Sequence, residues 1–304
     1  MQNKVLVTGG AGFIGSHIVD KLLKNNYFVI VLDNFSSGSI TNLRQLDKIK
    51  LYNTDIEKDN LGEIFNKEKP NYVIHLAAQT SVNYSISNTY FDANINIMAT
   101  IRLLENCKKF GIKKFITASS AAVYGNPNYL PIDEKHPTNP MSPYGLSKLT
   151  MEKYIQLSNI PYIIFRFSNA YGPRQKSSRE SGVIAIFDKA MKNNEPINIY
   201  GNGSQIRDFI YVEDIADICT KAIESITENE IINFSTNKGV SLNELFNEMS
   251  KIYEYKQKPN YLPERIGDIK NSILSNERIP KTFKKTTYTN LLEGLKNLKE
   301  YIYE

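Results

Sequence analysis

The sequence predicts an α/β fold: a Rossmann-type, doubly wound parallel sheet followed by a smaller, mixed α/β C-terminal unit. Short, continuous apolar runs alternate with helical patterns through the first half of the chain. Strands that are apolar on both faces belong to parallel sheets covered by helices on both sides. A glycine-rich turn follows the first run, and the alternation ends near Asn169. We therefore expect two units, residues 1–168 and residues 169–304.

The elements follow in order from their patterns. A helix is expected over about residues 12–25 and another over 90–110. A third opens at Ser142-Pro143, because Ser suits the N-cap and Pro the first helical position. Residues 172–178 are polar and turn-rich, and further helices are expected near 212–225 and 241–253. The expected strands of the first unit are Val5–Val7, Phe28–Leu32, Tyr72–Leu76, Lys114–Thr117 and Pro161–Phe165.

Composition argues against two classes of partner. Lys and Arg number 37 and Asp and Glu 32, so the formal charge is +5, which is mild for 304 residues. The densest basic cluster, within residues 108–114, lies where a helix would end, and cations there complement the helix dipole. A nucleic-acid surface is the alternative, but no aromatic platform or long basic run accompanies the cluster. No apolar stretch approaches the ~20 residues of a membrane helix. We expect neither a nucleic acid nor a membrane as partner.

The cysteines and histidines predict no disulfide framework and no metal site. Cys107 and Cys219 lie far apart and in no ligand spacing, so we expect buried free thiols. Free thiols fit a reducing cytoplasm better than an export route. The N-terminus also enters a short strand without the longer apolar region of a signal peptide. Three scattered histidines leave too few ligands for a Cys/His metal site.

A glycine-rich turn joins the first strand to the first helix. Gly10, Gly12 and Gly15 fit the pattern G-x-G-x-x-G, and Gly9, Gly12 and Gly15 fit G-x-x-G-x-x-G. Glycines allow a tight turn, close approach to a pyrophosphate and close packing of helix on strand. The helix N-terminus supplies N–H donors and a positive dipole. This position, between a strand and a helix, predicts a dinucleotide-binding first unit.

Asp33 predicts which dinucleotide binds. It ends the second strand, 18 residues beyond Gly15, close to the ~20 expected for the carboxylate that binds the adenosine ribose. A carboxylate there would repel a 2′-phosphate, so NAD is favoured over NADP. The alternative is a helix-capping Asp in the loop 33–38. Asp55 and Ile56, after the third strand, are further candidates for contact with the adenine.

Tyr144 and Lys148 form the candidate catalytic pair. They are at i and i+4 and so share one face of the helix that opens at Ser142. A free Tyr has a pKa of ~10, and a nearby ammonium together with a cationic nicotinamide would lower that pKa. A Tyr–Lys surface pair is the alternative. Against it, Ser119 and Ser120 end a strand at the carboxyl edge of the sheet, where ligands bind in this architecture.

Four segments of the chain form a combined pattern: Gly9-x-x-Gly12-x-x-Gly15, SSAAVYG at 119–125, Tyr144-x-x-x-Lys148 and RFSNAYGP at 166–173. Together they resemble the extended short-chain dehydrogenases/reductases that act on nucleotide sugars, closest to the UDP-glucose 4-epimerase group of the NAD-dependent epimerase/dehydratase family. The resemblance extends from residue 4 to about residue 275. It implies that residues 169–304 bind a UDP-sugar, and that the protein is a homodimer through the helices near 90–110 and 143–158.

The resemblance implies a role for each member of the triad. Ser120 would hydrogen-bond the sugar C4 oxygen, Tyr144 would accept the C4 hydroxyl proton, and Lys148 would hold the nicotinamide ribose. The implied reaction is transient oxidation at C4, rotation of the 4-keto sugar and return of the hydride to its other face. Dehydratases and decarboxylases of the superfamily carry an acidic residue at the position of Ala122. Its absence favours simple epimerisation.

Further contacts are implied by the same resemblance. Arg207 and Arg265 would hold the diphosphate, to which a forked guanidinium is suited. Asp268 would bind the uridine ribose, and Asn169 would lie near the phosphates. Tyr200 would pack on the base or else belong to the core, and Ser81 matches a substrate-contacting position. The implied cofactor contacts, besides the residues above, are Phe13, Ile14, Asn34, Ser37, Leu76, Ala77, Ala78, Gln79 and Asn94, with Tyr144 and Lys148.

Ser272 bears on which sugar is accepted. It matches a position where a bulky side chain accompanies strict glucose/galactose enzymes, so we expect room for an N-acetyl group at C2.

Two alternatives stay open: another nucleotide-sugar epimerase, such as a UDP-glucuronate 4-epimerase, and a non-catalytic NAD-binding sensor. The apolar residues of the two candidate dimer helices could equally be intramolecular core; they are Ile97, Ile101, Leu104, Leu149 and Ile155.

Overall fold

Strands and helices alternate through the first half of the chain, as the apolar runs predict. The computed structural model describes residues 2–177, 182–264 and 269–301. The strands are β1 Lys4–Thr8, β2 Phe28–Asp33, β3 Ile49–Asn53, β4 Tyr72–His75, β5 Lys114–Ser120, β6 Tyr162–Phe167, β7 Asn169–Tyr171, β8 Asn198–Tyr200, β9 Ile206–Tyr211, β10 Glu230–Phe234, β11 Gly239–Ser241, β12 Asn260–Leu262 and β13 Asn271–Ser272. The helices are α1 Phe13–Lys24, α2 Leu61–Glu68, α3 Val82–Ser87, α4 Thr89–Ala93, α5 Ala99–Lys109, α6 Pro143–Leu157, α7 Val183–Lys192, α8 Val212–Glu224, α9 Leu242–Tyr253, α10 Arg278–Phe283 and α11 Leu291–Glu300.

The large sheet has seven parallel strands in the order β10-β6-β5-β4-β1-β2-β3. Alternate residues of each strand point to opposite faces, so Val5 and Val7 pack with α1 and α8. Leu6, between them, packs on the other face, with α2, α5 and α6. Helices therefore cover both faces of a parallel sheet, which confirms the predicted Rossmann-type fold class.

The chain returns to this sheet after residue 169. β10 pairs with β6, from Glu230 opposite Ile163 to Phe234 opposite Phe167, and α8 packs against α1. The expected consecutive division at residue 168 therefore does not describe the sheet, because α8 and β10 complete it from beyond the boundary. The apolar run of β10 meets its partner only through tertiary pairing, which a local pattern does not reveal.

The remaining C-terminal elements form a second core. β9 lies at the centre of a four-stranded sheet, where it pairs with β7 and β13 in parallel and with β11 antiparallel. β8 and β12 form a separate parallel pair. Helices α7, α9 and α11 pack on these strands around a core that includes Phe187, Phe209, Phe246 and Leu295. This is the mixed α/β unit that the sequence predicts.

The expected helix over residues 90–110 is built in three parts. α4 and α5 flank a π-helical segment, Asn94–Met98, with no break in helical backbone between them. A π turn inserts one extra residue per turn and occurs frequently at functional sites. Here it lies beside α6, and Asn94 and Asn96 belong to it.

The two cysteines are buried free thiols, as expected. Cys107 packs on one face of the large sheet and Cys219 on the other, so the two thiols are separated by the sheet. Burial raises the pKa of both thiols, so they stay protonated and unreactive at neutral pH. No helix in the described part of the chain is both long and apolar enough to cross a membrane.

Candidate active site

The glycine-rich turn after β1 is packed too closely for side chains. Gly9 has a φ of +67°, and a Cβ built on it would lie 2.7 Å from the Ala77 backbone nitrogen. A Cβ on Gly15 would lie 2.1 Å from the Gly9 carbonyl oxygen. Gly12 is the N-cap of α1 and has no side chain with which to cap the first-turn N–H groups. These N–H groups are thus left for an anion such as a pyrophosphate.

Asp33 is hydrogen-bonded to the backbone of this turn. Its carboxylate is buried and accepts hydrogen bonds from the backbone N–H groups of Ala11 (Oδ2, 2.8 Å) and Phe35 (Oδ1, 2.8 Å). Each oxygen has a second lone pair, so the carboxylate can still accept from a ribose hydroxyl. Among the described helices, none has Asp33 as its N-cap, and the neighbouring ones have Gly12 and Ser39 as theirs. The turn and Asp33 together fit the dinucleotide that the sequence predicts.

The other expected cofactor contacts surround the same edge of the sheet. Asn34 and Ser37 are exposed on the loop after β2, and the Asn34 amide donates to Asp55 at 3.3 Å. Asn94 opens the π segment and donates to Glu57 at 2.6 Å. Phe13 and Ile14 begin α1, Ile56 is buried beyond β3, and residues 76–79 follow β4. Direct contact of each with the cofactor stays a prediction.

Ser120 lies close enough to the Tyr144 hydroxyl to lower its pKa. Ser120 ends β5, and its Oγ also accepts from the Ala122 N–H at 3.1 Å. Tyr144 lies in the first turn of α6, where Ser142 caps the helix by accepting from the Gly145 N–H at 3.1 Å. The Tyr144 backbone N–H donates to Ser85 Oγ at 3.1 Å, which ties α6 to α3. Two elements that are distant in sequence thus bring a serine and a tyrosine hydroxyl together.

Lys148 lies one turn after Tyr144 and is buried. Its Nζ donates to the Ala118 carbonyl at 3.0 Å, so β5 holds the side chain at the edge of the sheet. Burial lowers the pKa of Lys148 to about 8, against the opposing charges of Asp92 and Glu152. The Tyr–Lys surface pair considered above is therefore wrong, because both side chains are buried.

The pKa of Tyr144 differs from the expectation. Burial raises it above its usual range, the neighbouring Ser120 hydroxyl lowers it, and the charge of Asp92 raises it. The lowering that we expected from Lys148 is not seen in the protein alone. Desolvation penalises the phenolate more than a neighbouring hydroxyl stabilises it. A bound cationic nicotinamide remains the group that would reverse the direction.

Two cavities share Lys270 and Asn271. One, of about 320 Å³, is lined by Tyr200, Gly201, Gln205 and Glu264 among others. The second, of about 520 Å³, is lined by residues 126–130, which follow the turn after Ser120. The shared residues place the two cavities side by side, between the Tyr200 segment and the chain that leaves the catalytic edge. Tyr200 is half-buried at the wall of a cavity, so a contact with the base stays a prediction.

The expected substrate residues are placed as follows. Arg207 and Ser272 are register partners on β9 and β13, and Arg207 Nη1 donates to the Ile206 and Lys270 carbonyls at 2.9 and 3.2 Å. Asn169 is exposed and donates to the Asp208 carbonyl at 3.2 Å. Ser81 caps α3 by accepting from the Tyr84 N–H at 3.0 Å. Arg265 and Asp268 lie outside the described residues.

The family of the chain follows from a family model that matches the first unit and continues to the end of β10. A model described as the NAD dependent epimerase/dehydratase family matches residues 5–234. The chain belongs to that family. Its cofactor is NAD, and the prediction of an NAD-using enzyme is confirmed.

Within the described ranges, no group of three or more His, Cys, Asp or Glu side chains could hold a metal ion.

Solved structures resemble this family member closely. A UDP-glucose 4-epimerase from Thermotoga maritima, with UDP-glucose, is 40% identical and has a TM-score of 0.95, with 98% of each chain covered. A UDP-N-acetylglucosamine 4-epimerase from Methanobrevibacter ruminantium, in complex with UDP-N-acetylmuramic acid, is 36% identical with a TM-score of 0.93, covering 99% of this chain and 98% of that one. A UDP-glucuronic acid 4-epimerase from Bacillus cereus, with UDP-glucuronic acid and NAD, is 30% identical with a TM-score of 0.91 and 98% of each chain covered. The predicted resemblance is thereby confirmed.

Two buried groups near the catalytic pair were missed by the sequence analysis. Asp92, Asn96 and Thr100 are spaced four residues apart and are all buried, so they form a polar stripe on the inner face of the α4–α5 helix. The spacing of four is present in the sequence, but the apolar residues between them dominate the helical pattern. Arg166 and Glu152 form a buried ion pair with contacts of 2.6 and 2.9 Å.

Proposed function

We propose that the protein is an NAD-dependent UDP-hexose 4-epimerase. The observation that carries this proposal is the meeting of the turn after Ser120 with the first turn of α6 at the carboxyl edge of the sheet, which brings Ser120 to Tyr144, with buried Lys148 one turn further along α6. Ala122 supports it, since no acidic side chain stands at the position where related dehydratases carry one. The filled triad also argues against the NAD-binding sensor.

The chain supplies the proton chemistry of this reaction. Bound NAD supplies hydride acceptance and return at the nicotinamide. Tyr144 Oη accepts the proton of the sugar C4 hydroxyl and later gives it back. Ser120 Oγ donates a hydrogen bond to the C4 oxygen, and Lys148 holds the ribose and stabilises the phenolate. Since the proton leaves and returns to one sugar, no path for protons to the solvent is needed.

Ser272 supports acceptance of N-acetylated as well as plain hexoses. It is small, half-buried and paired in register with Arg207, which we place at the diphosphate. We infer that UDP-glucose, UDP-galactose, UDP-GlcNAc and UDP-GalNAc all fit. UDP-glucuronate is the second candidate substrate, because exposed Lys270 lines both cavities and could face a carboxylate.

We also infer a cytoplasmic homodimer, with the free thiols supporting that compartment. Leu104 and Ile155, two of the expected interface residues, are buried within the chain and belong to its core. Exposed apolar side chains on the same helices offer a different contact surface: Tyr90, Phe91, Met98, Leu146, Tyr154 and Leu157. A monomer mass by light scattering would contradict the dimer.

One incubation tests the function. The purified protein with UDP-glucose, UDP-GlcNAc and UDP-glucuronate in parallel should convert at least the first two to their C4 epimers, as separated by chromatography. Tyr144→Phe should abolish turnover and keep the bound NAD. Release of a dehydrated or decarboxylated product, or unchanged turnover by Tyr144→Phe, would overturn the proposal.

A further inference from the structure

A buried carboxylate lies on α6 beyond the two candidate catalytic residues of that helix. Glu152 is fully buried, one turn past Lys148 and two turns past Tyr144, so the three residues share one helix face. Its carboxylate accepts hydrogen bonds from Arg166 Nε at 2.9 Å and Arg166 Nη2 at 2.6 Å. The Ser119 hydroxyl donates to the same carboxylate at 2.5 Å. We refer to Ser119, Glu152 and Arg166 as the anchor cluster.

The anchor cluster joins the catalytic helix to two neighbouring strands. Ser119 on β5 and Arg166 on β6 are register partners, so their side chains lie side by side on one face of the sheet. Both donate to Glu152 on α6, which therefore binds two strands at once. Ser120, the candidate catalytic serine, is the next residue of β5 after Ser119. The strand that carries Ser120 and the helix that carries Tyr144 are thus held by one carboxylate.

The anchor cluster also reaches the far end of the turn that follows Ser120. Arg166 Nη1 donates to the Tyr124 hydroxyl at 3.0 Å, and its guanidinium carbon lies 4.8 Å from the centre of the Tyr124 ring. The Tyr124 hydroxyl donates in turn to Asn233 Oδ1 on β10 at 2.7 Å. Tyr124 comes directly after the short turn Ala121–Val123. The turn is therefore held at both of its ends, by Ser119 before it and by Tyr124 after it.

Geometry is what an ion pair of this kind supplies. Burying two charges costs about as much as their attraction returns, so apolar residues of similar volume are often equally stable in their place. A bidentate contact between a guanidinium and a carboxylate, in contrast, fixes both a distance and an angle. Glu152 is fully buried and binds three donors, so it holds the groups around it.

We propose that Glu152 is a positioning residue that, through its hydrogen bond with Ser119, sets the place of Ser120 opposite Tyr144. The proposal rests on the proposed function, in which Ser120 hydrogen-bonds the sugar C4 oxygen while Tyr144 takes the proton from it. Both hydroxyls must reach the same substrate atom, although they lie on different elements. A shift of α6 along β5 would separate them, and the hydrogen bond between Ser119 and Glu152 opposes that shift.

The first test compares Ser119→Ala with Thr220→Val. Ser119→Ala breaks the link and leaves the Glu152–Arg166 ion pair, so the variant should fold and bind NAD. We expect its kcat to fall about 10-fold or more and its KM for UDP-glucose to stay within about two-fold, because a displaced catalytic group weakens the transition state. Thr220 is buried on α8, and its hydroxyl donates to the Ala216 carbonyl at 2.8 Å. Thr220→Val loses a buried hydroxyl far from the site and should keep the wild-type kcat.

The paired replacement Glu152→Leu with Arg166→Met tests the carboxylate itself. It removes the acceptor for Ser119 without leaving a charge unpaired, so it should fold where either single change would bury a lone charge. We expect its kcat to fall at least as far as that of Ser119→Ala, and the addition of Ser119→Ala should then have no further effect. A wild-type kcat in the paired variant would overturn the proposal.

A double-mutant cycle with Ser120→Ala separates positioning from general structural damage. Without the Ser120 hydroxyl there is nothing for Ser119 to position, so adding Ser119→Ala should lower the remaining kcat by less than about two-fold. Equal losses in the two backgrounds, or a Ser119→Ala kcat equal to that of the wild type, would overturn the role of Glu152 alone. A wild type that converts none of UDP-glucose, UDP-GlcNAc and UDP-glucuronate would instead refute the proposed function, and this role with it.

Discussion

Gly145 on α6 lies so close to Ala122 that a Cβ built on it would be 2.6 Å from the Ala122 carbonyl oxygen. Through this contact the first turn of α6 packs directly against the turn that follows Ser120. We expect Gly145→Ala to push α6 away and to reduce kcat by about 10- to 100-fold, because displacement of a catalytic group by about 1 Å has effects of that size. Steady-state epimerisation kinetics of the NAD-loaded enzyme would measure it.

Gly62→Ala is the matched control for that variant. Gly62 lies in the first turn of α2, and a Cβ there would meet the side-chain oxygens of Asn60 and Asn106 at 3.3 and 3.4 Å. We expect normal kcat and a stability equal to or above that of the wild type, since Ala favours helix over Gly by about 0.5–1 kcal/mol. A kcat for Gly145→Ala as high as that for Gly62→Ala would show that the Ala122 contact does not position Tyr144.

Gly15 tests the cofactor site alone. A Cβ there would lie 2.1 Å from the Gly9 carbonyl oxygen, and the clash is with backbone that cannot swing aside. We expect Gly15→Ala to lose bound NAD, because the turn must open and its N–H groups must leave the pyrophosphate position. The NAD content of the purified protein, released by acid and measured by absorbance, gives the answer. Retention of NAD at the wild-type level would contradict the assignment of this turn.

The first unit could be predicted from sequence because its signals are local. The strand at Phe28–Asp33 is a continuous apolar run, and Ser142 with Pro143 marks the start of α6 within one turn. The sequence did not predict that β10 pairs with β6. The paired residues, such as Glu230 and Ile163, are more than sixty positions apart in the chain. The local sequence of a strand does not specify which other strand it pairs with.

The site could be predicted in part for the same reason. Tyr144 and Lys148 share one helix face, so their spacing is enough to pair them. Ser120 reaches Tyr144 only because Gly145 lets α6 approach the turn after β5, a contact between distant segments. Asp92 was missed because a lone acidic residue in a helix is normally solvated, and its burial depends on the packing of α4 against α6.

Lys148 should impose its own pH dependence on stability. Its pKa falls from 10.5 to about 8 in the folded protein, so the unfolded chain binds the extra proton between those values. The free energy of unfolding should rise with pH across that window by up to about 3 kcal/mol from this group. Lys148→Met should lack the rise and have no turnover, whereas exposed Lys153→Met should behave as the wild type. Urea unfolding at pH 7, 8, 9 and 10 would show whether the Lys148→Met and wild-type curves are parallel.

Ser272 should decide how the enzyme discriminates at C2 of the sugar. The side chain lies on β13 opposite Arg207, so a substituent there is held at a fixed distance from the strand that carries a diphosphate candidate. Ser272→Tyr would fill the space that we assign to the N-acetyl group. We expect turnover of UDP-GlcNAc to fall about 10-fold or more while turnover of UDP-glucose changes little, because overpacking costs about 1–3 kcal/mol and affects only the larger substrate.

The ratio of kcat/KM for the two substrates is the decisive quantity in that experiment. A general loss of folding or of NAD would lower both values together and leave the ratio unchanged, so the ratio reports on the sugar pocket alone. Ser272→Ala, which keeps the site small, should preserve the wild-type ratio. If Ser272→Tyr also preserves it, Ser272 does not face C2, and the acceptance of N-acetylated sugars would have to depend on residues of the neighbouring cavity that contains Tyr129 and Leu130.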